Sequence, residues 1–282
     1  MIIDNNYLFS VIVLFYNKDF IFRDSIGSIL AQNYKNIELI LVDDGSSVFN
    51  EAMIREFISE NKKDNISNIV IQCNKKNLGT VRCANLGLGL AHGNYIKLLA
   101  ADDALYDELS LDNARSALDK SESGIVVSGV MACDSSMKEI CLFRENEKKR
   151  MRGMSAFKQY CSLCVRNPIP APGVFFRRDC FKTNGLFDEE YKLLEDWPMW
   201  LRVTRSNRRL EFADFIGTKY RKNVGTSTSS RKQYLLDKRK VFSKEIVPYR
   251  RRIGFSRYCV SFFSSCIRTS PVLRKAYEAL FR

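Results

Sequence analysis

Among the adjacent acidic residues of this chain, three pairs stand out: Asp43-Asp44, Asp102-Asp103 and Glu195-Asp196. Paired carboxylates suit two kinds of chemistry. Hard divalent cations prefer oxygen ligands, and a carboxylate whose proton affinity is raised by burial and a like-charged neighbour can act as a general base. Asp102 and Asp103 are the better candidates to hold a cation, of the kind a nucleotide diphosphate would need. Asp43 and Asp44 directly precede Gly45 and can instead accept hydrogen bonds from a base or a ribose. Any one pair fits a turn or helix cap equally well, since Asp is favoured there for local reasons. Three pairs in one chain, two of them after apolar runs, favour chemistry. Gly79, in the loop before a helical stretch, fits either a close approach of the backbone to a nucleotide or a plain turn.

The elements that must position these pairs are visible in the hydrophobic pattern. Phe9 to Tyr16 and Ile37 to Val42 are largely apolar runs rich in β-branched residues, ended by polar clusters, and predict buried strands. Ile69 to Cys73 and Tyr95 to Ala100 predict two more. Between them, Phe20 to Gln32, Glu51 to Glu60 and Val81 to Ala91 carry apolar residues at helical spacing. This alternation predicts an α/β fold with a mostly parallel central sheet flanked by helices. Such sheets bind ligands at the carboxyl ends of their strands, where Tyr16-Asn17, Asp43-Asp44 and Asp102-Asp103 all fall. Further along, Ser110 to Ser121 predicts a helix, Ile125 to Met131 a strand, Glu145 to Arg152 a charged exposed stretch, and Glu195 to Arg205 a helix with Pro198 in its first turn. Asn167 to Gly173 contains three prolines and cannot be helical.

The chain has 282 residues, of which 45% are hydrophobic and 27% charged, as in an ordinary globular protein. Nine cysteines, an odd number at irregular spacing, exclude a complete disulfide framework and favour a reducing compartment. The apolar stretch Leu8 to Tyr16 follows Asp4 rather than positive charge, so it reads as a strand and not a signal peptide. The net charge of +13 is concentrated: residues 231–282 hold 14 lysines and arginines against Asp237, Glu245 and Glu278. The remaining 230 residues are close to neutral, which argues against a nucleic-acid-binding body and for a local anionic partner at the C-terminal segment. In that segment Pro271 can open a helix with Leu273, Ala276, Tyr277, Leu280 and Phe281 on one face. Such a helix suits a lipid interface and equally suits docking on the protein's own core. His92, the sole histidine, precedes Gly93 in a helix-to-turn segment and does not suggest a hydrolase triad. Cys161 and Cys164 form one Cys-x-x-Cys without a second pair, so buried thiols fit better than zinc.

Beyond these residue-level arguments, three stretches resemble glycosyltransferase family 2. Ser10 to Phe20 (SVIVLFYNKDF) with Ser28 to Ser47 (SILAQNYKNIELILVDDGSS) resembles the family's amino-terminal half, and Asn77 to Asp103 continues it in order and spacing. Gly185 to Val203 (GLFDEEYKLLEDWPMWLRV) is similar to its acceptor-side segment. The resemblance implies a GT-A fold of bacterial surface-polysaccharide type. Residues 1–230 would form the transferase domain, 1–105 being its nucleotide-binding half and 106–230 its acceptor half, with 231–282 as a basic helical C-terminal extension. It implies transfer of a sugar from a nucleotide sugar to a hydroxyl with inversion at the anomeric carbon. Tyr16 and Asp44 would line the base pocket, Arg82 would sit near the nucleotide, Asp102 would meet the ribose, Asp103 would hold Mg²⁺ or Mn²⁺, and Asp196 would be the general base. Trp197 and Trp200 offer sugar-stacking surfaces, though Trp200 fits helix core better.

The sequence departs from that family's pattern at three places. Ala100 stands where an Asp is frequent and Ala84 where a basic residue is frequent. Tyr220-Arg221-Lys222-Asn223 lacks a histidine after its Tyr-Arg pair, which leaves Arg221 or Lys222 to steady the diphosphate. Taken together, the expectation is a hexosyltransferase-type enzyme using a nucleotide-sugar donor, with UDP as the guessed carrier, and a glycan or lipid-linked acceptor. It would act in the cytoplasm, touching the anionic inner face of the plasma membrane through its tail and binding no nucleic acid. The competing expectation is a catalytically silent nucleotide-sugar-binding or scaffolding protein on the same fold.

Overall fold

The computed structural model describes residues 7–17, 21–222 and 230–269. Four strands, β1 (Phe9–Phe15), β2 (Ile37–Asp43), β3 (Ile66–Cys73) and β4 (Tyr95–Ala100), pair in parallel in the order β3-β2-β1-β4. Parallel neighbours need crossover connections, supplied here by α1 (Phe22–Leu30), α2 (Glu51–Asn61) and α3 (Thr80–Leu90). The Asn50 side chain starts α2 by accepting the Met53 N–H at 3.0 Å.

Strand alternation divides the core in two. Phe9, Val11, Val13 and Phe15 face a layer containing Phe22, Ile26 and Ile29 of α1 and Leu111 of α4 (Ser110–Asp119). Ile12, Ile40 and Val42 face the opposite layer, with Val81, Ala84 and Leu88 of α3. Each such side chain fully removed from water contributes about 1.5–3 kcal/mol. Gly87 lets α3 lie close on the sheet, since a Cβ there would sit 2.4 Å from Ile12 Cγ2.

Beyond β4 the sheet continues through β8 (Val174–Arg177), β6 (Ile125–Cys133), β9 (Glu211–Arg221) and β5 (Ala104–Leu105), with β7 (Glu139–Leu142) beside β6. The long β6/β9 pairing is parallel, and the short β4/β8, β6/β8, β5/β9 and β6/β7 pairings are antiparallel. The four longest pairings are thus the parallel ones, as the hydrophobic pattern predicts. The charged stretch Glu145 to Arg152, expected to be merely exposed, is a helix, α5 (Glu145–Arg152), anchored by buried Met151. α6 (Ala156–Val165), α7 (Asp179–Asn184) and α8 (Asp196–Arg205) complete this half.

The C-terminal segment is not a loose appendage. Its helix Arg231–Val241 buries Asp237 and Val241, and the later helix Phe255–Thr269 packs on α6, with Ser261 Oγ donating to the Cys164 carbonyl at 2.5 Å. Glu245 pairs with Arg205 of α8 at 2.8 Å, both side chains largely buried. The amphipathic stretch expected after Pro271 lies outside the described residues.

Candidate active site

Strand register explains why distant acidic residues meet. Phe15 is level with Asp43 and Leu14 with Ala100, so the chain leaves β1, β2 and β4 at one height and the following polar residues share one edge. Along that edge three adjoining cavities of about 80, 190 and 450 Å³ form a cleft. Tyr16, Asp44, Gly79 and Asp102 line the first; Asp102, Asp103, Glu195 and Asp196 line the second; Glu195, Asp196 and Asn167 line the third. Thr80, at the start of α3, lines all three. The cleft is therefore continuous from Tyr16 to Asp196 and beyond.

At the narrow end, Asp44 is buried and accepts the Leu78 N–H at 2.7 Å and the Gly79 N–H at 2.9 Å. A carboxylate has about four acceptor sites, so Asp44 retains capacity for a ligand. Gly79 has φ +92°, and a Cβ there would collide with Lys192, 2.5 Å from its Cγ and 2.7 Å from its carbonyl oxygen. Its use is thus a close approach between two protein segments. Asp43 differs from its neighbour. Its carboxylate accepts the Gly45 and Ser46 N–H groups, both at 3.1 Å, and the Ser46 hydroxyl, so it closes its own turn and does not line the cleft, contrary to the expected ligand role.

In the middle, Asp103 Oδ1 accepts the Arg221 N–H at 3.1 Å. Burial, and next the negative charge of Asp102, push the Asp103 carboxyl well above its usual range. Two buried carboxylates facing a cleft in this way are the donor set that a hard cation would relieve. No group of three or more His, Cys, Asp or Glu among the described residues could hold a metal. An ion here would draw its remaining ligands from water and substrate oxygens, as Mg²⁺ commonly does. Arg221, expected on the diphosphate, has each side-chain nitrogen bonded to protein: Nε on the Asp102 carbonyl at 3.0 Å, Nη2 on Asp24 at 2.5 Å and Nη1 on the Ser135 carbonyl. It is a buried strut joining β9, α1 and the Asp102-Asp103 turn. Arg82 also lies off the cleft lining, its Nε 3.4 Å from exposed Glu189.

Fully buried Lys97 lies below this turn. Its ammonium donates to the Val174 carbonyl at 3.1 Å and to that of Pro172, fixing the floor of the cleft. Burial pushes its pKa down to about 7.

At the wide end, α8 presents Asp196 on its first turn. Oδ2 accepts the Asn167 side-chain N–H at 2.6 Å and Oδ1 accepts the Trp197 N–H at 2.6 Å. Burial raises the Asp196 carboxyl above its ordinary value; burial and then the Asp196 charge raise Glu195. Trp197 is largely buried but lines the wide cavity, its indole N–H donating to the Leu163 carbonyl at 2.9 Å. Trp200 is core, stacked on Phe176 with ring centroids 6.0 Å apart. His92 sits on an exposed turn against Glu38, 2.8 Å from it and away from the cleft lining.

The same chain matches the model of glycosyl transferase family 2 over residues 10–182. The chain belongs to that family. It is 28% identical over 231 residues to an uncharacterized glycosyltransferase of Haemophilus influenzae, covering 80% of this chain and 69% of that protein. It is 30% identical over 195 residues to the minor teichoic acid biosynthesis protein GgaB of Bacillus subtilis, covering 68% of this chain and 20% of that one. A Rickettsia typhi glycosyltransferase is 27% identical over 202 residues and is spanned over 59% of its length. Among solved structures, residues 1–349 of S. aureus TarS with UDP-GlcNAc superpose with a TM-score of 0.59 at 17% identity, covering 95% of this chain and 83% of that one. The mannosyltransferase PcManGT of Pyrobaculum calidifontis, with GDP-Man and Mn²⁺, gives 0.62 at 14% identity, covering 97% and 81%. The fold of this glycosyltransferase is therefore GT-A, as the sequence resemblance implied. No helix among the described residues is long and apolar enough to cross a membrane.

Sequence patterns missed Thr80, Asn167, Tyr220 and the C-terminal contribution. Asp237 Oδ2 accepts the N–H groups of Lys192, Leu193 and Leu194 at 3.0, 2.7 and 3.3 Å, so the helix Arg231–Val241 shapes the loop leading to Asp196. Tyr234 and Lys238 of that helix line the cleft. An acidic residue isolated in a strongly basic stretch was the available signal.

Proposed function

We propose that this glycosyltransferase is an inverting, metal-dependent enzyme. It moves a hexosyl group from a nucleotide sugar, with UDP as carrier, to a hydroxyl of a glycan or lipid-linked acceptor in surface-polysaccharide synthesis. The observation that carries the proposal is the single cleft joining Tyr16 and Asp44, Asp102 and Asp103, and Asp196. The ligands named for the structural neighbours, UDP-GlcNAc in one and GDP-Man with Mn²⁺ in the other, support a nucleotide sugar and a cation. The role named for GgaB supports a surface polymer.

In this reading Tyr16 and Asp44 bind the base, the Gly79 backbone lies beside it, Asp102 meets the ribose, and Asp103 holds Mg²⁺ or Mn²⁺. When bound, that ion offsets negative charge on the departing diphosphate. Asp196 takes the acceptor hydroxyl proton as the acceptor oxygen bonds to the anomeric carbon and the bond from that carbon to the phosphate oxygen breaks. Attack from the side opposite the diphosphate inverts the centre. Asn167 and the Trp197 N–H hold the Asp196 carboxylate in place, and the buried environment keeps its basicity above that of a free aspartate.

Peripheral contact with the inner face of an anionic membrane is part of the same reading. Phe255 and Phe263 are 84% and 62% exposed, on a helix that follows the exposed run Arg250, Arg251 and Arg252. Flotation with anionic vesicles should weaken in a Phe255→Ser, Phe263→Ser double variant.

The deciding experiment is a thermal-shift screen of nucleotide sugars with Mn²⁺, followed by a hydrolysis assay. One donor is expected to raise Tm, and Asp103→Ala to abolish the shift. No stabilisation by any common nucleotide sugar and no effect of Asp103→Ala would sink the enzyme. Stabilisation without any turnover would favour a silent binder, the reading that Ala100 on the cleft wall supports.

A further inference from the structure

The cations lining the cleft are confined to one end. The two cavities that contain Asp44, Asp102 and Asp103 are lined by no lysine or arginine among the described residues. The third, reaching past Asp196, is lined by Arg144, Arg166 and Lys238 together with Glu147, Glu195 and Asp196. These cations come from three separate segments: the β7–α5 turn, the end of α6 and the helix Arg231–Val241. Arg166 is 3.5 Å from Glu147, a long contact. Arg144 lines the cavity from an unusual backbone, with φ +55° in a non-glycine residue, and donates one N–H to the Asn167 carbonyl at 3.0 Å. Lys238 lies one helical turn from Tyr234, its ammonium 4.3 Å from that ring's centre.

A nucleotide diphosphate lying between Asp44 and Asp103 would have its charge met by a cation at Asp103, with the basic trio lying past the base that faces the acceptor. Guanidinium groups match the oxygens of a phosphate in two-point fashion, and an added ammonium supplies further charge. From this arrangement we infer that the acceptor of the proposed reaction carries phosphate, gripped by Arg144, Arg166 and Lys238 while its hydroxyl reaches Asp196. The inference rests on the transferase reading above and names its acceptor class. Asn167 links the two functions: its side chain holds the Asp196 carboxylate and its carbonyl holds Arg144. Phosphate engagement and base positioning therefore share one rigid, proline-bounded segment.

The test uses the full chain and four probes: UDP with Mn²⁺, a short glycerol-phosphate oligomer, a short-chain prenyl diphosphate, and a neutral oligosaccharide of matched length. Binding is measured by calorimetry at low and at raised salt, because phosphate contacts are screened by added ions. At least one phosphate-bearing probe is expected to bind at least about 10-fold more tightly than the neutral one, with affinity falling at higher salt. Arg144→Gln and Lys238→Gln are each expected to weaken it about 3- to 10-fold and to leave UDP with Mn²⁺ within about twofold. Which phosphate probe binds distinguishes a polymer backbone from a lipid carrier. Equal binding of the neutral oligosaccharide, or unchanged phosphate affinity in an Arg144→Gln, Lys238→Gln double variant, would overturn the inference. Loss of UDP binding in these variants would overturn it too, by assigning the cations to the donor. A wild type that binds no nucleotide diphosphate but retains salt-sensitive phosphate binding would break the transferase reading while supporting the anion site.

Discussion

From Phe9 to Ala100 the strands pair with one another in parallel, and the cleft residues come from strand ends and one helix start. From Ala104 onward the short pairings turn antiparallel, and the cleft is lined by a proline-rich loop, the first turn of α8 and a further helix near the C-terminus, Arg231–Val241. The first region makes a site by register: once the strands align, the polar residues have nowhere else to go. The second makes a site by docking, with Asp237 and Asn167 tying remote segments together. A register-built end suits a constant ligand part, and a docked end can be retuned one segment at a time without disturbing the parallel sheet.

Asp196→Asn should separate the two regions most strongly. Loss of a general base should lower kcat by about 10³-fold, within the roughly 10²–10⁴ such groups contribute, while nucleotide affinity stays within about twofold. Stopped transfer with unchanged calorimetric donor binding would separate the two ends; a parallel loss of donor affinity would break the division. Next comes Asp237→Ala, which leaves three N–H groups of the Lys192–Leu194 segment without their charged acceptor. Denaturant unfolding is expected to show a loss of about 3 kcal/mol, and the KM for acceptor should rise more than that for donor. Gly79→Ala joins both ends, since it forces a Cβ against Lys192 at positive φ; a loss of about 2 kcal/mol by the same measurement is expected.

A finer discrimination lies in the pH profile. Asp196 must be ionised to accept a proton, and its carboxyl is raised by burial, so activity should rise with pH through a limb above the usual aspartate range. Glu195→Gln should leave that limb in place, because burial and the Asp196 charge push Glu195 up to about 8, so Glu195 is uncharged while Asp196 loses its proton. Asn167→Ala removes a hydrogen bond to the ionised form and should move it higher. An upward shift of about half a unit for Asn167→Ala and none for Glu195→Gln are expected; a limb moved by Glu195→Gln and not by Asn167→Ala would place it on another group. Stability follows the opposite sign to activity. A buried carboxyl with a raised pKa favours folding while protonated, so its contribution weakens as pH climbs from the unfolded to the folded value.

Much of the donor end was legible because its information is local. Ile37–Asp43 is an apolar run ending in acid, and the β4 limits Tyr95–Ala100 match the pattern residue for residue. The β8 and β9 strands were not legible. The polar and apolar residues of Glu211–Arg221 follow no period of two, and its pairing with β6 is interrupted by register shifts. Arg221 and Asp43 looked like ligands because residue type alone does not reveal where hydrogen bonds go.

The alternating α/β order, the acidic pairs at strand ends and the concentration of basic charge after residue 230 could all be read along the chain, because each depends on neighbours in sequence. Packing was needed to turn Asp44 toward the cleft and Asp43 inward, to make Arg221 a strut, and to set the basic C-terminal helix as a wall of the site. Those outcomes depend on which distant backbone groups a buried charge must satisfy, and that demand arises only when the segments come together and exclude water.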